Sequence, residues 1–175
     1  MPIRKTQSHG KIGEAAAAAK CWMYGIPAYN TAGLRANFAG SDLIVDTTDP
    51  KRKLLIQVKT GFCRSGDWVY MTQCAGETDL TEEKFVSDFV VFVNIDFKVG
   101  STHQHEGLLD FGHLRFFVVP NAAANALYKS AVQREFDRPL KNGGQRKLGN
   151  LAVYVAAEEM LKYRDAWRLI AESPT

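Results

Sequence analysis

The chain has 175 residues, of which 46% are hydrophobic and 23% charged, and a single domain, residues 1–175, accommodates that length and composition. Its formal net charge of +3 permits a polyanionic partner without requiring one. We expect no signal peptide and no membrane contact, because no apolar run is long enough to cross a bilayer. The three cysteines form no CxxC pair, which favours a cytoplasmic protein.

The predicted elements begin with a helix over residues 11–24. The AAAAAK segment favours helix, and Gly25 and Pro27 end it. Two strands follow, SDLIVD (41–46) and KLLIQVKT (53–60), and the turn-rich TTDPKR segment joins them. This part of the chain therefore predicts a helix followed by a β-hairpin.

The rest of the chain adds further strands and helices. Two apolar runs, DFVVFVNID (88–96) and LRFFVVP (114–120), are typical of central strands that are covered on both faces. The remaining predictions are a short strand near Tyr29, a weaker strand over 67–72, a short helix over 80–86, and helices over 121–136 and 152–171. This order of elements predicts an α/β fold with a mixed β-sheet core flanked by helices.

The second strand of the hairpin has two different faces. Alternate residues of a strand point to the same side, so Leu54, Ile56 and Val58 form a wholly aliphatic face. The opposite face places the amide of Gln57 beside the ammonium group of Lys59. A strand this hydrophobic is expected to be covered on both sides, so these two polar groups need an explanation.

The turn of the hairpin decides which residue lies opposite Asp42. With residues 49–50 as the central turn residues, Asp42 faces Gln57. With residues 50–51 in that place, Asp42 faces Lys59. A register change of two residues keeps every side chain on its own face, so both registers bring the three side chains together.

This combination of side chains has a chemical use. A carboxylate and an amide oxygen are hard ligands that suit Mg²⁺. The ion can activate a water and neutralise a phosphate oxygen, and Lys59 can stabilise the charge that develops on the phosphate. A second acid is needed, and Glu14 is the candidate. Ala18 and Cys21 follow it at helical spacing, and such small side chains let the helix approach the sheet closely.

Each of these residues also has a structural explanation. Asp42 and Lys59 can form a cross-strand ion pair of small value. Glu14 can favour the positive end of the helix dipole. Gln57 can satisfy a backbone group. Spacing alone leaves these alternatives open.

Taken together, the residues resemble the motif of the PD-(D/E)XK nuclease superfamily. That motif has an acid on the first helix, Pro-Asp at the start of one hairpin strand and (D/E)-x-K on the next. The corresponding residues are Glu14, Ser41-Asp42 and Gln57-Val58-Lys59. The helix glutamate is similar to that of archaeal Holliday junction resolvases and Mrr-like restriction enzymes. The Q-x-K form resembles a small group of intron-encoded homing endonucleases in the same superfamily.

The resemblance implies a restriction-endonuclease-like fold and an endonuclease that hydrolyses DNA with Mg²⁺ or Mn²⁺. Glu14 and Asp42 would hold the metal, and Gln57 would contribute its side-chain oxygen. Lys59 would assist the water and the phosphate. The glutamine removes one negative charge from the usual motif, so the alternative is a catalytically inactive member of the fold that binds nucleic acid or a protein. A third alternative is a structural or immunity-type protein with no nucleic-acid role.

Basic and polar residues outside the motif are the predicted DNA contacts. They lie ahead of Asp42 and in the basic loop RPLKNGGQRKLGN (138–150), where phosphate contacts would be sensitive to salt. These residues are Arg35, Asn37, Arg138, Lys141, Arg146 and Lys147. Small members of the superfamily often cut two strands as dimers, so the resemblance also implies a homodimer.

Overall fold

The structure is a computed structural model that describes residues 5–31, 40–47, 52–63, 67–74, 82–96, 114–138 and 151–173. Its helices are α1 (Lys5–Met23), α2 (Asn121–Asp137), α3 (Ala157–Met160) and α4 (Arg168–Ala171), with a 3-10 turn at Leu161–Tyr163. Its strands are β1 (Ala28–Asn30), β2 (Leu43–Asp46), β3 (Lys53–Cys63), β4 (Trp68–Cys74), β5 (Phe89–Asp96), β6 (Leu114–Pro120) and β7 (Leu151–Ala156).

Five of the strands form one mixed sheet in the order β1-β2-β3-β5-β6. The central pair, β3 and β5, is parallel, and the other neighbours are antiparallel. The remaining strands, β4 and β7, pair with each other in a separate antiparallel sheet. The mixed sheet with flanking helices confirms the predicted α/β fold class.

The central sheet is covered on both faces. On one face, α1 and Trp167 of the C-terminal segment belong to the same buried cluster as Leu54, Ile56 and Val58 of β3. On the other face, α2 and the β4–β7 pair enclose a second cluster that includes Phe92. Burial of each large aliphatic or aromatic side chain contributes about 1.5–3 kcal/mol, so these two clusters account for much of the stability of the sheet.

The first helix ends where the sequence predicts and starts six residues earlier than residue 11. Gly25 has a φ of 72°, a conformation that favours glycine. Its N–H donates to the carbonyl of Trp22 (3.0 Å), and the N–H of Ile26 donates to that of Cys21 (2.9 Å). This pair of hydrogen bonds is the Schellman motif, which closes the helix and turns the chain into β1.

The predicted helix over 80–86 is wrong for the described residues 82–86, which form no helix. Phe85 is fully buried there, and its backbone groups bond to side chains of α2 instead of to a neighbouring helical turn. Its N–H donates to Asn125 Oδ1 (3.0 Å), and its carbonyl accepts from the amide nitrogens of Asn121 (2.8 Å) and Asn125 (2.9 Å). Tertiary hydrogen bonds thus replace the local helix.

The predicted helix over 152–171 is also wrong, whereas the helix over 121–136 is confirmed as α2. Val153 and Val155 are buried and Tyr154 between them is exposed, which is the alternation of a half-covered strand. The chain then makes only short helical turns, and Asp165 takes a positive φ of 48° between them. The pairing of β7 with β4 prevails over the predicted helix in this region.

Two further expectations concern the thiols and the membrane. Cys21 and Cys74 are buried free thiols. In the described ranges, no helix is both long enough and apolar enough to span a membrane.

Candidate active site

Asp42 lies at the start of β2, against β3. Leu43 pairs with Ile56 and Asp46 with Lys53, which is the register that sets Asp42 opposite Gln57 rather than Lys59. The N–H of Asp42 donates to the carbonyl of Ile56 (2.8 Å), and Oδ2 of Asp42 accepts the N–H of Val58 (2.7 Å). One carboxylate oxygen is therefore fixed by the backbone, and Oδ1 is left for another ligand.

The surroundings of Asp42 disfavour its negative charge. Burial is the largest effect and raises the pKa of Asp42, while the hydrogen bond from Val58 opposes it. The charge of Glu14 raises the pKa further, and Lys59 and Lys11 lower it. The net result is a raised pKa, because burial outweighs the hydrogen bond from Val58 and the two lysines.

Glu14 reaches the sheet because its neighbour is a glycine. A Cβ atom at Gly13 would lie 1.8 Å from Thr60 Oγ1, so a larger residue there requires the side chain of Thr60 or the helix to shift. Glu14 is 9% exposed. Its Oε2 accepts hydrogen bonds from Lys11 Nζ (2.6 Å) and from Asn30 Nδ2 in β1 (3.2 Å). Glu14 lies more than one turn beyond the start of α1 at Lys5, so the helix dipole does not account for its position.

Gln57 has a buried oxygen without a partner. Its Oε1 accepts no hydrogen bond within the described residues, although a buried acceptor left unsatisfied costs about 1–3 kcal/mol. The oxygen therefore does not satisfy a backbone donor. Gln57 thus places an amide oxygen, without a described hydrogen-bond partner, opposite the buried carboxylate of Asp42. This arrangement fits a bound cation better than it fits a structural role.

Lys59 is half-buried on the same face as Gln57. Burial is the largest effect and lowers its pKa, Asp42 raises it, and Lys84 lowers it. Asp42 and Lys59 are both described, and no direct ion pair joins them. The simple cross-strand ion pair is thus absent, and each group keeps the capacity to bind something else.

These residues fit a hard divalent cation. Among the described residues, no group of three histidine, cysteine, aspartate or glutamate side chains could hold a metal. The candidate ligands are the carboxylates of Glu14 and Asp42, which interact electrostatically, and the amide oxygen of Gln57, which lies opposite Asp42; Glu14 comes from α1, which packs on the other face of β3. Mg²⁺ needs only one or two carboxylates because it keeps several waters, so a set of this size suits it.

Residues 82–88, here called the covering segment, lie across the face that carries Gln57 and Lys59. Lys59 pairs with Phe92 of β5, and the ring of Phe85 packs edge-on against Phe92 with centroids 5.7 Å apart. At the other side of the site, Gly40 has a φ of 87°, and a Cβ atom there would lie 2.6 Å from Val86 Cγ2. The covering segment therefore bridges from β5 to the residues just before Asp42.

Lys84 of the covering segment is a site residue that the sequence did not reveal. Its charge lowers the pKa of Lys59, and its Nζ lies 5.8 Å from the ring centroid of Tyr128. Because the sequence predicts a helix over 80–86, it gives no indication of where Lys84 lies. The available signal was the pair of asparagines at the start of α2, Asn121 and Asn125, which hold the covering segment in place.

The predicted DNA contacts lie mostly outside the described residues. This applies to Arg35, Asn37, Lys141, Arg146 and Lys147. Arg138 follows the last residue of α2, where it is exposed and donates to Glu135 (3.4 Å). Its role as a DNA contact stays a prediction.

Comparison with known proteins bears on the fold. No protein-family model and no curated protein sequence matches the chain. Among solved structures, the bacterial homing endonuclease I-Ssp6803I is similar with a TM-score of 0.54 and 16% sequence identity, over 97% of this chain and 95% of that one. The chain therefore shares its overall mixed α/β fold with that protein. At this identity the likeness concerns the fold alone, so the site has to be argued from its own residues.

Proposed function

We propose that the protein is a metal-dependent endonuclease of the PD-(D/E)XK type that hydrolyses phosphodiester bonds of DNA. The observation that carries this proposal is the meeting of Asp42 and Gln57. A carboxylate with a raised pKa lies opposite a buried amide oxygen that has no hydrogen-bond partner among the described residues. Both features are unfavourable in the free protein, and one bound cation would relieve both.

The positions of the side chains support the following roles. Asp42, Glu14 and Gln57 would hold Mg²⁺ or Mn²⁺, and the cation would supply positive charge to the phosphate and polarise a water. Val58 keeps the carboxylate of Asp42 oriented through its N–H. Lys59 faces the same space and would donate a hydrogen bond to the phosphate or to the attacking water.

Two further observations support the proposal. The fold resembles that of a homing endonuclease over nearly the whole length of both chains. The net charge of +3 is compatible with a polyanionic substrate. Cleavage of both strands of a duplex would use two copies of the chain, so the proposal includes a homodimer, which analytical ultracentrifugation can test.

The test is a cleavage assay on labelled duplex, branched and single-stranded DNA with Mg²⁺, Mn²⁺ or EDTA. Asp42→Ala and Lys59→Ala should each lower the rate by at least about 10²-fold. Asp46 and Lys53 provide matched controls because they form an ion pair in the same two strands. Asp46→Ala and Lys53→Ala should cleave like the wild type. Cleavage that survives in EDTA, or in the Asp42 variant, would contradict the proposal.

The second candidate function is a binding module with the same fold and no catalysis. It is favoured by Gln57, which brings a neutral amide where the motif has an acid. Under this alternative the wild type binds DNA but cleaves no substrate with either metal. The Gln57→Glu variant then separates the cases, because a gain of cleavage would identify the missing charge as the reason for inactivity.

A further inference from the structure

The short strand β1 connects the two elements that carry the proposed acidic ligands. Trp22 Nε1 donates to the carbonyl of Ala28 (3.0 Å), which fastens the start of β1 to the last turn of α1. At the other end of the strand, Asn30 lies opposite Leu43, the first residue of β2. The strand therefore lies against both the helix of Glu14 and the start of β2.

The side chain of Asn30 contacts the acid on the helix. Its Nδ2 donates to Oε2 of Glu14 (3.2 Å), which lies 16 residues earlier in the sequence. Lys11 Nζ donates to the same oxygen (2.6 Å), from one turn earlier on the helix and from a side chain that is 63% exposed. Both donors bind Oε2, so neither of them blocks Oε1. Of these two donors, Asn30 is the one that the sheet supplies.

The next residue along β1, Thr31, contacts the backbone of the acid on the strand. Its N–H donates to the carbonyl of Asp42 (3.0 Å). Its hydroxyl donates to the carbonyl of Ser41 (2.8 Å) and lies 3.1 Å from that of Asp42. Two consecutive residues, Asn30 and Thr31, therefore hold the side chain of Glu14 and the backbone of Asp42 at fixed positions relative to each other.

Glu14 needs such a support because of where it starts and what it approaches. It comes from α1, which packs on the face of β3 opposite to Gln57, so its carboxylate has to be directed towards Asp42. Two carboxylates repel each other, and a metal-binding carboxylate is in turn hydrogen-bonded by residues that fix its orientation. The amide of Asn30 suits this task because it donates a hydrogen bond without adding a charge that would compete with a cation.

We infer that Asn30 is a positioning residue of the metal site. Its amide holds the carboxylate of Glu14 in the orientation in which Glu14 and Asp42 share one divalent cation. The inference rests on the proposed function and adds to the site a residue that lies outside the PD-(D/E)XK motif. In this role Asn30 acts through Glu14 and contacts neither the cation nor the DNA.

The test measures affinity for Mg²⁺ and for Mn²⁺ by calorimetric titration without DNA, so that it does not depend on cleavage. Asn30→Ala removes the donor and should bind each ion about tenfold more weakly, as is usual when a residue that orients a metal ligand is lost. In the cleavage assay, a higher concentration of Mn²⁺ should restore the rate of this variant, because only its affinity for the ion is reduced.

Tyr29→Phe is the matched control. Tyr29 precedes Asn30 in β1, and its hydroxyl donates to Oδ2 of Asp46 (3.4 Å), a carboxylate of β2 that is not a proposed ligand. This variant also removes one side-chain hydrogen bond from β1 to a carboxylate, and it should keep the wild-type affinity for both ions. Thermal unfolding of both variants verifies that each is folded.

A double-mutant cycle with Glu14→Gln tests whether Asn30 acts through Glu14. Glu14→Gln should weaken metal binding without abolishing it, because Asp42 and Gln57 remain, and adding Asn30→Ala should then cause no further loss. Wild-type affinity in Asn30→Ala, or an equal loss with and without Glu14, would overturn the inference and leave the proposed function intact. A wild type that neither binds these ions nor cleaves any DNA would instead refute the proposed function and the inference with it.

Discussion

The two faces of β3 are buried by different neighbours. Leu54, Ile56 and Val58 are at most 8% exposed, and they share one apolar cluster with α1. Gln57 and Lys59, on the other face, are half-buried beneath the covering segment. One face is filled by apolar side chains. The other carries an amide oxygen that has no hydrogen-bond partner in the described ranges, and an ammonium group whose charge is disfavoured by burial.

This difference separates the source of stability from the place of function. Apolar burial stabilises the fold in proportion to the area removed from water, whereas polar groups buried without partners destabilise it. The aliphatic face and α1 therefore offset the cost of the polar face. A ligand that supplies the missing partners would stabilise the protein through the polar face alone.

The largest expected effect comes from substituting adjacent residues on the two faces. Ile56→Ala should lower the free energy of unfolding by about 2–5 kcal/mol because it leaves a cavity under α1. Gln57→Met has a similar volume and removes the unsatisfied oxygen, so it should raise the stability by up to about 1 kcal/mol. Urea unfolding of both variants measures the difference. A Gln57→Met variant as destabilised as Ile56→Ala would show that the amide has a structural partner.

The second prediction concerns the contact that brings α1 to the sheet. Gly13→Ala should cost about 1–3 kcal/mol, because the new methyl group overlaps Thr60 Oγ1. Thr60→Ala alone should be close to neutral, since Thr60 Oγ1 is buried without a hydrogen bond among the described residues. The double variant should recover part of the loss, and a double-mutant cycle measures how much. Strictly additive effects would mean that the two residues do not compete for the same space.

The third prediction is a pH dependence that arises on the polar face. The pKa of Asp42 is raised in the folded state, so its protonated form is favoured there. Its contribution to stability is present below the pKa of the unfolded chain and is lost as the pH rises through the folded pKa. Asp42→Asn carries no charge at any pH, so its stability relative to the wild type should increase from about pH 4 towards neutrality.

Thermal unfolding over this pH range, without metal, gives the comparison. Addition of Mg²⁺ at neutral pH should then reverse the order. It should raise the melting temperature of the wild type by mass action, and it should leave Asp42→Asn nearly unchanged. A wild type that gains nothing from Mg²⁺ or Mn²⁺ would contradict the assignment of Asp42 as a metal ligand.

Local patterns were sufficient for the hairpin and insufficient for the covering segment. The alternation in KLLIQVKT and the turn residues give the two faces of β3 because every interaction involved lies within about 20 residues. Lys84 reaches the site through hydrogen bonds from Asn121 and Asn125, which come about 40 residues later. The strand at Val153 likewise depends on its pairing with β4. No periodicity within a short window records contacts of that range.

The smallest expected effect is at Ser41, where the PD-(D/E)XK motif has proline. Ser41 is 9% exposed, and its Oγ has no hydrogen-bond partner within the described residues. Its carbonyl accepts a hydrogen bond from Thr31 Oγ1 (2.8 Å), which holds the chain in place without the hydroxyl. Ser41→Ala should therefore raise the free energy of unfolding by less than about 1 kcal/mol.

The same variant is informative about the site because Ser41 adjoins Asp42. A hydroxyl that only fills space can be removed without effect on metal binding, so calorimetric titration with Mg²⁺ should give the wild-type affinity for Ser41→Ala. A weaker affinity with unchanged stability would show that Oγ of Ser41 faces the cation site. In that case the serine would supply a further oxygen where Gln57 supplies no charge, and the polar face would extend one residue beyond the hairpin motif.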